Sequence, residues 1–388
     1  LNSLYPSIMI SLNLSPETKV GRFEVTGDGD VIVTSITGKV VELTKEKFAR
    51  FVEKEGISIT RANCLFSQKK KGIFPLITDK YYDKRKVIKK QLGIAKKGDT
   101  EYAAIKLEVD QAEIKQLTIK ILINRIYGYF GNKVSPMGDP DITRSITLTG
   151  QSIIKRSNRI LTDFVKERTG LDDNAIEKDP VVIYNDTDSV YVTIKHLIEH
   201  GNLPFITDNK VSKEVIELTD EIETILNKSI KKWGEYALNS QDCRLEFKRE
   251  SICSRGVFLQ KKRYILHILD DEGISVDKFK YTGVEVVRST MPKALKPHVK
   301  NIIETMIHTK DYNTTNKLFN EMYELFDTLA LDDIAFVMGC KSYSTISENT
   351  GEECNNFKTY KGMPIHAKSA YYYNHLLEKQ NLTNKYES

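Results

Sequence analysis

Long apolar runs are missing from this 388-residue sequence. None approaches the roughly 18 residues a membrane helix needs, and the N-terminus has no basic region followed by an apolar one. The sequence therefore reads as a soluble protein that is neither membrane-bound nor exported. Cysteine is sparse: five residues, at 64, 243, 253, 340 and 354, without a Cys-x-x-Cys pair to seed a zinc site or a redox motif. That usage fits a reducing intracellular compartment. Internal repeats and low-complexity tracts are also absent, which excludes solenoids and compositional linkers. Neither sign of charge is in large excess, with 58 Lys and Arg against 53 Asp and Glu for a net +5, so the overall balance says little about partners. The chain begins Leu1-Asn2-Ser3 with no initiator Met, and that boundary reads as artificial or as a product of processing.

What is present is length and local charge. A chain of this size exceeds one ordinary core, so two or three structural units are expected. Between Lys69 and Lys97 there are eleven Lys and Arg residues against Asp79 and Asp83 alone, a segment suited to an anion. Residues 22 to 60 alternate short β-rich runs with Gly-containing turns and then become helical near Thr44. Residues 78 to 97 and 101 to 127 read as two long charged helices joined by a short turn at Lys97-Gly98-Asp99. A third helix is expected over 141 to 168, another over 209 to 238, strands over most of 244 to 280, and helices after Gly283.

Pro180 to Tyr184 and Val190 to Ile194 are β-branched runs flanking Asn185-Asp186-Thr187-Asp188-Ser189, which predicts a β-hairpin. Its turn holds Asp186 and Asp188 close together at the tip of a rigid scaffold. Such a pair suits Mg²⁺, which takes oxygen ligands and is usually held by one or two carboxylates with substrate phosphates. An ordinary hairpin turn rich in Asp and Asn is the alternative. In the basic segment, Arg85 and Lys89 lie at i and i+4 on one helical face. On the next helix Lys120, Asn124 and Tyr127 fall within about 60° of one another, while Ile119, Leu122, Ile123 and Ile126 form the opposing core face. Three cations from two packed helices can clamp a triphosphate, and a Lys can protonate a departing pyrophosphate. For Lys69 to Lys71 and Lys96 to Lys97 the simpler reading is a solvated charged surface.

These motifs carry a resemblance. Tyr184-Asn185-Asp186-Thr187-Asp188-Ser189 resembles the Tyr-Gly-Asp-Thr-Asp-Ser signature of B-family DNA polymerases, with Asn185 in place of Gly; Asn tolerates left-handed backbone best after Gly. Leu1-Asn2-Ser3-Leu4-Tyr5-Pro6-Ser7 resembles the family's Asp-x-x-Ser-Leu-Tyr-Pro-Ser motif, whose aspartate would immediately precede Leu1. Lys120-x-x-x-Asn124-Arg125-x-Tyr127-Gly128 resembles the fingers motif Lys-x-x-x-Asn-Ser-x-Tyr-Gly. Lys261-Lys262-Arg263-Tyr264, expected to open a strand, resembles the Lys-Lys-Arg-Tyr motif at the primer terminus; a solubilising strand edge is its alternative. Gly283 to Lys293 and Pro364 to Lys368 are similar to thumb segments. Asn13-Leu14-Ser15-Pro16-Glu17-Thr18 and the Lys89 to Asn124 spacing point to the T-even-type bacteriophage branch. In that branch an acidic residue stands two positions before Glu250, where this chain has Lys248.

The resemblance implies an α+β right-hand polymerase fold: an antiparallel palm sheet carrying the acidic hairpin (1–78 and 141–280), inserted helical fingers (79–140), and an incomplete, mostly helical thumb (281–388). It implies template-directed nucleotidyl transfer from a dNTP to a primer 3′-hydroxyl with two Mg²⁺ ions, in viral DNA replication in the cytoplasm of an infected bacterium. Asp188 and Asp186 would be metal ligands together with the Leu1 carbonyl. The backbone N–H groups of Ser3 and Leu4 would hold the triphosphate, with Arg85, Lys89, Lys120 and Asn124. Tyr5 would lie under the deoxyribose as a steric gate. Tyr127 and Gly128 would pack on the nascent base pair, and Lys261, Lys262, Arg263 and Tyr264 on the primer strand. Primer-template DNA and dNTP are the expected partners, with a sliding clamp reached through a C-terminal tail and an N-terminal exonuclease-bearing portion outside this chain. The rival expectation is a DNA-binding half that needs a separate N-terminal chain to supply the first aspartate. An RNA-directed polymerase would want two adjacent aspartates in the hairpin.

Overall fold

The computed structural model describes residues 3–95, 102–309 and 311–335, with 369, 373, 376 and 377. By its contacts the chain divides into two compact units, residues 1–261 with 267–278, and residues 262–266 with 279–388. The architecture is α+β. Among the described residues no helix is long and apolar enough to cross a membrane.

The first unit is built around α1, Leu4–Ser11, in which every residue except Tyr5 is buried. A helix apolar on all sides must lie inside a core. Leu4, Ile8, Met9 and Leu12 meet Phe66, Phe130, Ile142, Ile146 and Ile153 there.

Strands β1 (Lys19–Val25), β2 (Val31–Ser35) and β3 (Val40–Leu43) precede α2 (Lys45–Glu55), followed by β4 (Ile57–Ile59) and β5 (Cys64–Ser67). They form a five-stranded antiparallel sheet in the order β3-β2-β1-β5-β4. Thr44 caps α2 by accepting from the Lys47 amide, and Gly56 ends it in a left-handed conformation. One face of α2, with Phe48 and Val52, closes over Val31, Val33, Ile57 and Leu65. Gly21 is required in β1, because a Cβ there would stand 2.2 Å from the Thr34 carbonyl oxygen.

Two long helices follow, α3 (Ile73–Ala95) and α4 (Tyr102–Gly131). The expected turn at 97 to 99 lies outside the described residues. Tyr82 of α3 packs on Ile119 and Ile123 of α4 and on Ile10 of α1. Leu122, expected on this core face, is instead exposed. It stands at the edge of the arc centred on Ile119, Ile123 and Ile126, and the neighbouring helices fill only the centre.

Helix α5 (Pro140–Thr169) crosses under α1 and is capped by Asp139. Next come α6 (Asp173–Lys178), β6 (Val182–Asp186), β7 (Ser189–Val192), α7 (Lys195–Gly201), the short strands β8 (Ile206–Thr207) and β9 (Lys210–Val211), and α8 (Lys213–Ala237). Strands β10 (Ser251–Gln260), β11 (Arg263–Asp271) and β12 (Ile274–Thr282) form a three-stranded sheet in that order. Among the described residues the acidic hairpin β6-β7 is a two-stranded sheet of its own rather than part of a larger one. Its support comes from rings: Tyr184 lies 5.5 Å from Tyr191 and 5.3 Å from Phe258 of β10.

In the second unit Gly283, with φ of 63°, begins the segment leading to α9 (Lys296–Thr309), α10 (Tyr312–Thr328) and α11 (Leu331–Ile334). Tyr281 donates to Glu304 of α9 at 2.5 Å, and burial with this carboxylate pushes the phenol up beyond its ordinary range. The segment Pro364 to Lys368 lies outside the described residues.

Candidate active site

The hairpin register pairs Asn185 with Val190 and Asp186 with Ser189, so only Thr187 and Asp188 form the turn. The left-handed residue is Thr187, with φ of 53°, and not Asn185, which is an ordinary strand residue. Asn at the family's Gly position is therefore not a response to backbone handedness. The Asp188 amide donates to the Asp186 carbonyl at 2.6 Å, and the Thr187 hydroxyl donates to Oδ1 of Asp186 at 3.1 Å. The turn thus holds the two acids in one small loop. The Asn185 Oδ1 is buried and has no hydrogen-bond partner among the described residues.

Burial pushes the Asp188 carboxyl up from its ordinary value; Glu250 adds to this, and Lys120 of α4 pulls it back. A carboxyl in that setting gains from a nearby cation, since an opposite charge restores the ionised form. The oxygen donors of Asp186 and Asp188 are of the kind Mg²⁺ takes. Among the described residues no group of three or more His, Cys, Asp or Glu side chains is gathered for a metal. The pair therefore fits as part of a coordination shell, the remainder being water and phosphate oxygen. Leu1, the third expected ligand, lies outside the described residues.

Ser3 stands before α1 in a left-handed conformation (φ 58°) and makes no side-chain cap, leaving the first-turn amides of α1 without a side-chain acceptor. Its hydroxyl faces Arg85 of α3, whose Nη1 lies 3.5 Å away. Arg85 is 7% exposed and also donates through Nε to Gln116 of α4 at 3.3 Å. Burial lowers its pKa, against the support of Tyr82, Glu272 and Glu250.

Tyr5, the half-buried residue of α1, sets its ring 4.8 Å from that of Tyr127 on α4. Burial raises its phenol, and Tyr127 and Asp188 raise it further. Gly150 of α5 makes this placement possible: a Cβ there would lie 3.3 Å from Leu4 Cδ2 and 3.5 Å from Tyr5 Cε1.

The structure thus brings Ser3, Leu4, Tyr5, Arg85, Lys120, Tyr127 and Asp188 into one neighbourhood from four separate parts of the sequence. Lys120 and Asn124 are exposed on α4, and a Cβ on Gly128 would meet nothing within 4 Å, so this end of the helix is open. Lys89, one turn after Arg85 on α3, donates to Glu272 at 2.8 Å. Lys261 and Lys262 form a turn instead of opening the strand, with Lys262 left-handed at φ 62°; β11 starts only at Arg263. A residue with positive φ cannot continue the pleat. Arg263 pairs with Glu285 at 2.7 Å, and Tyr264 is buried. Sequence reasoning gave no role to Glu250 or Glu272. Both are acids near strand ends, and no spacing rule separates such residues from solvated turn acids.

Comparison with known proteins identifies the family. The family model for DNA polymerase family B matches residues 1–335. The chain is 27% identical over 349 residues to the DNA-directed DNA polymerase of Escherichia phage RB69, covering 79% of this chain and 38% of that protein. It is 24% identical over 380 residues to the corresponding protein of Enterobacteria phage T4, covering 86% of this chain and 41% of the relative. Similarity extends to the DNA polymerase delta catalytic subunit of Plasmodium falciparum, 26% identical over 316 residues, with 80% and 23% covered. The chain spans about two fifths of the length of the two phage relatives. With a family match over most of its length, and with the hairpin acids, the Tyr5 helix and the α3-α4 pair gathered at one place, this chain belongs to DNA polymerase family B.

Proposed function

We propose that the chain forms the palm (1–78 and 141–280), the fingers (79–140) and part of the thumb (281–388) of a DNA-directed DNA polymerase. Its reaction is template-directed nucleotidyl transfer from a dNTP to a primer 3′-hydroxyl. The observation that carries this reading is the tilted contact of the Tyr5 and Tyr127 rings, 4.8 Å apart, with Asp188 close enough to act on the Tyr5 phenol, which joins three motifs remote in sequence. The likeness to two phage enzymes supports a role in viral DNA replication in the cytoplasm of an infected bacterium.

Asp186 and Asp188, with the Leu1 carbonyl, would hold two Mg²⁺ ions. When bound, such ions lower the pKa of the attacking hydroxyl and stabilise the leaving group. The chain's own residues bind and orient. The free amides at Ser3 and Leu4 point donors at phosphate oxygens, as helix N-termini do. Arg85 and Lys89 supply positive charge to the triphosphate, Lys120 protonates the departing pyrophosphate, and Asn124 lies on the same face. The Tyr5 ring occupies the space that a 2′-hydroxyl would need, while Tyr127 and Gly128 leave a surface on which a base pair can pack. Lys261 and Lys262 meet primer-strand phosphates, which fix register without reading sequence, while Arg263, paired with Glu285, and the buried Tyr264 support their turn from the start of β11. Positioning and charge neutralisation supply most of the rate. A sliding clamp and an exonuclease-bearing N-terminal portion complete the set of partners.

Primer extension tests the proposal directly. Substituting Asp188→Asn in a polypeptide carrying this chain is expected to lower extension by about a thousandfold, several kcal/mol of transition-state stabilisation. Primer-template affinity should stay within about twofold. Extension at the wild-type rate by the variant would remove Asp188 from the reaction.

A further inference from the structure

Glu272 stands against Lys89, one of the two α3 cations assigned to the triphosphate. With Gly273 it forms the two-residue turn between β11 and β12, where the hairpin geometry calls for positive φ at both positions, 52° and 87°. The turn is anchored to the chain before β10: the Glu272 amide donates to the Glu250 carbonyl at 2.6 Å. From this fixed turn the carboxylate reaches α3 and accepts from the Lys89 ammonium at 2.8 Å. The same carboxylate acts on Arg85, one helical turn earlier on the same face, and Glu250 acts on it too. Lys89 and Glu272 are each about two fifths exposed at the side chain, so a soluble anion can reach the pair and compete for it. An ordinary surface ion pair would join two charges with no other task. Here the acid is paired with one of the basic groups that α3 offers to a triphosphate.

Resting on the reading of Arg85 and Lys89 as triphosphate ligands, we propose that Glu272 is a specificity-determining residue that occupies the Lys89 end of that site when no nucleotide is bound. An incoming anion must displace it. A triphosphate, with several charges and many acceptor oxygens, replaces one carboxylate with a gain; a single phosphate offers far less and is held back. The acid thereby sets a threshold of ligand charge, and favours substrate triphosphate over monophosphate products of hydrolysis.

The test is a binding titration of the full 388-residue chain with inorganic tripolyphosphate and, separately, inorganic phosphate, at low salt with EDTA present. Wild type, Glu272→Gln, Lys89→Ala and the double variant are compared. Exposed ion pairs are weak, so Glu272→Gln is expected to tighten tripolyphosphate binding by about two- to fivefold. It should also narrow the preference for tripolyphosphate over phosphate, and both gains should vanish in the Lys89→Ala background. If wild-type binding depends on Lys89 but Glu272→Gln binds no tighter, the proposal is overturned while the triphosphate reading stands. If Lys89→Ala binds tripolyphosphate as the wild type does, the reading of Lys89 itself fails, and the proposal with it. Should Glu272→Gln alter the melting profile, Glu272→Ala, which removes the carboxylate at an exposed turn, takes its place: tighter tripolyphosphate binding supports the proposal, and unchanged binding overturns it.

Discussion

Asp141 shows how a single buried acid organises the frame around the site. It is 4% exposed in the first turn of α5, and it takes a bidentate pair from Arg22 (Nε 2.7 Å, Nη2 2.6 Å) and an ion pair from Lys19 at 2.6 Å. Burial alone would raise its pKa, but the hydrogen bonds from Lys19 and Arg22 prevail and hold the carboxyl below its ordinary range. The sign of the pH dependence follows. An acid with a depressed folded pKa contributes its full stabilisation above the unfolded value of about 3.9, and loses it as pH falls through the folded value. The urea midpoint of the wild type is therefore expected to drop as pH is lowered from about 5 toward 3. Asp141→Asn should start lower at neutral pH by about 1–3 kcal/mol and show a flatter acid limb, because Lys19 keeps a poorer partner. Equal acid slopes for the two proteins would show that Asp141 contributes nothing to acid sensitivity.

At the scale of elements, α1 and the α3-α4 pair determine where the chemistry sits. Ile123 is fully buried where α4 meets α3, beside Tyr82 and Ile119, so Ile123→Ala is expected to cost about 2–5 kcal/mol in denaturant unfolding. Leu122→Ala, one residue away and exposed, should cost under about 0.5 kcal/mol. Similar losses at both positions would refute the observed helix orientation. That contrast also marks the reach of the sequence. The 3.6-residue period predicts α4 and places Ile119, Ile123 and Ile126 inward, but it assigns Leu122 to the core because a periodic pattern does not reveal how wide an arc the neighbours cover. The β6-β7 hairpin is equally legible, since β-branched runs around a polar turn have few other outcomes. Its handedness is not: Thr187 takes the positive φ that Asn185 was expected to carry. Register decides which residue lies at the tip, and register depends on cross-strand packing that local sequence does not state. Lys262 follows the same logic, its left-handed turn displacing the start of β11 to Arg263. Glu272 was illegible for another reason: its meaning rests on Lys89, 183 residues away.

For the whole molecule, a net charge of +5 is too small to draw in nucleic acid by its overall field, so on the proposed polymerase reading DNA affinity rests on local phosphate contacts. Each phosphate neutralised on duplex DNA contributes about −0.9 to the slope of log K against log salt. Lys261 and Lys262 are exposed and lie at a turn that projects from the strand ends, whereas the Arg263 guanidinium is turned toward Glu285. If both lysines meet primer phosphates, the double substitution Lys261→Ala and Lys262→Ala reduces the magnitude of the slope by about 2 and weakens binding uniformly across template sequences. Fluorescence titration of a labelled primer-template over a range of salt concentrations measures this. The control is Lys45→Ala with Lys47→Ala, which removes the same charge from exposed positions on α2 and should leave the slope unchanged. An equal reduction in both variants would mean that DNA responds to the total charge of the molecule, and the Lys261-Lys262 turn would then lose its special standing at the primer.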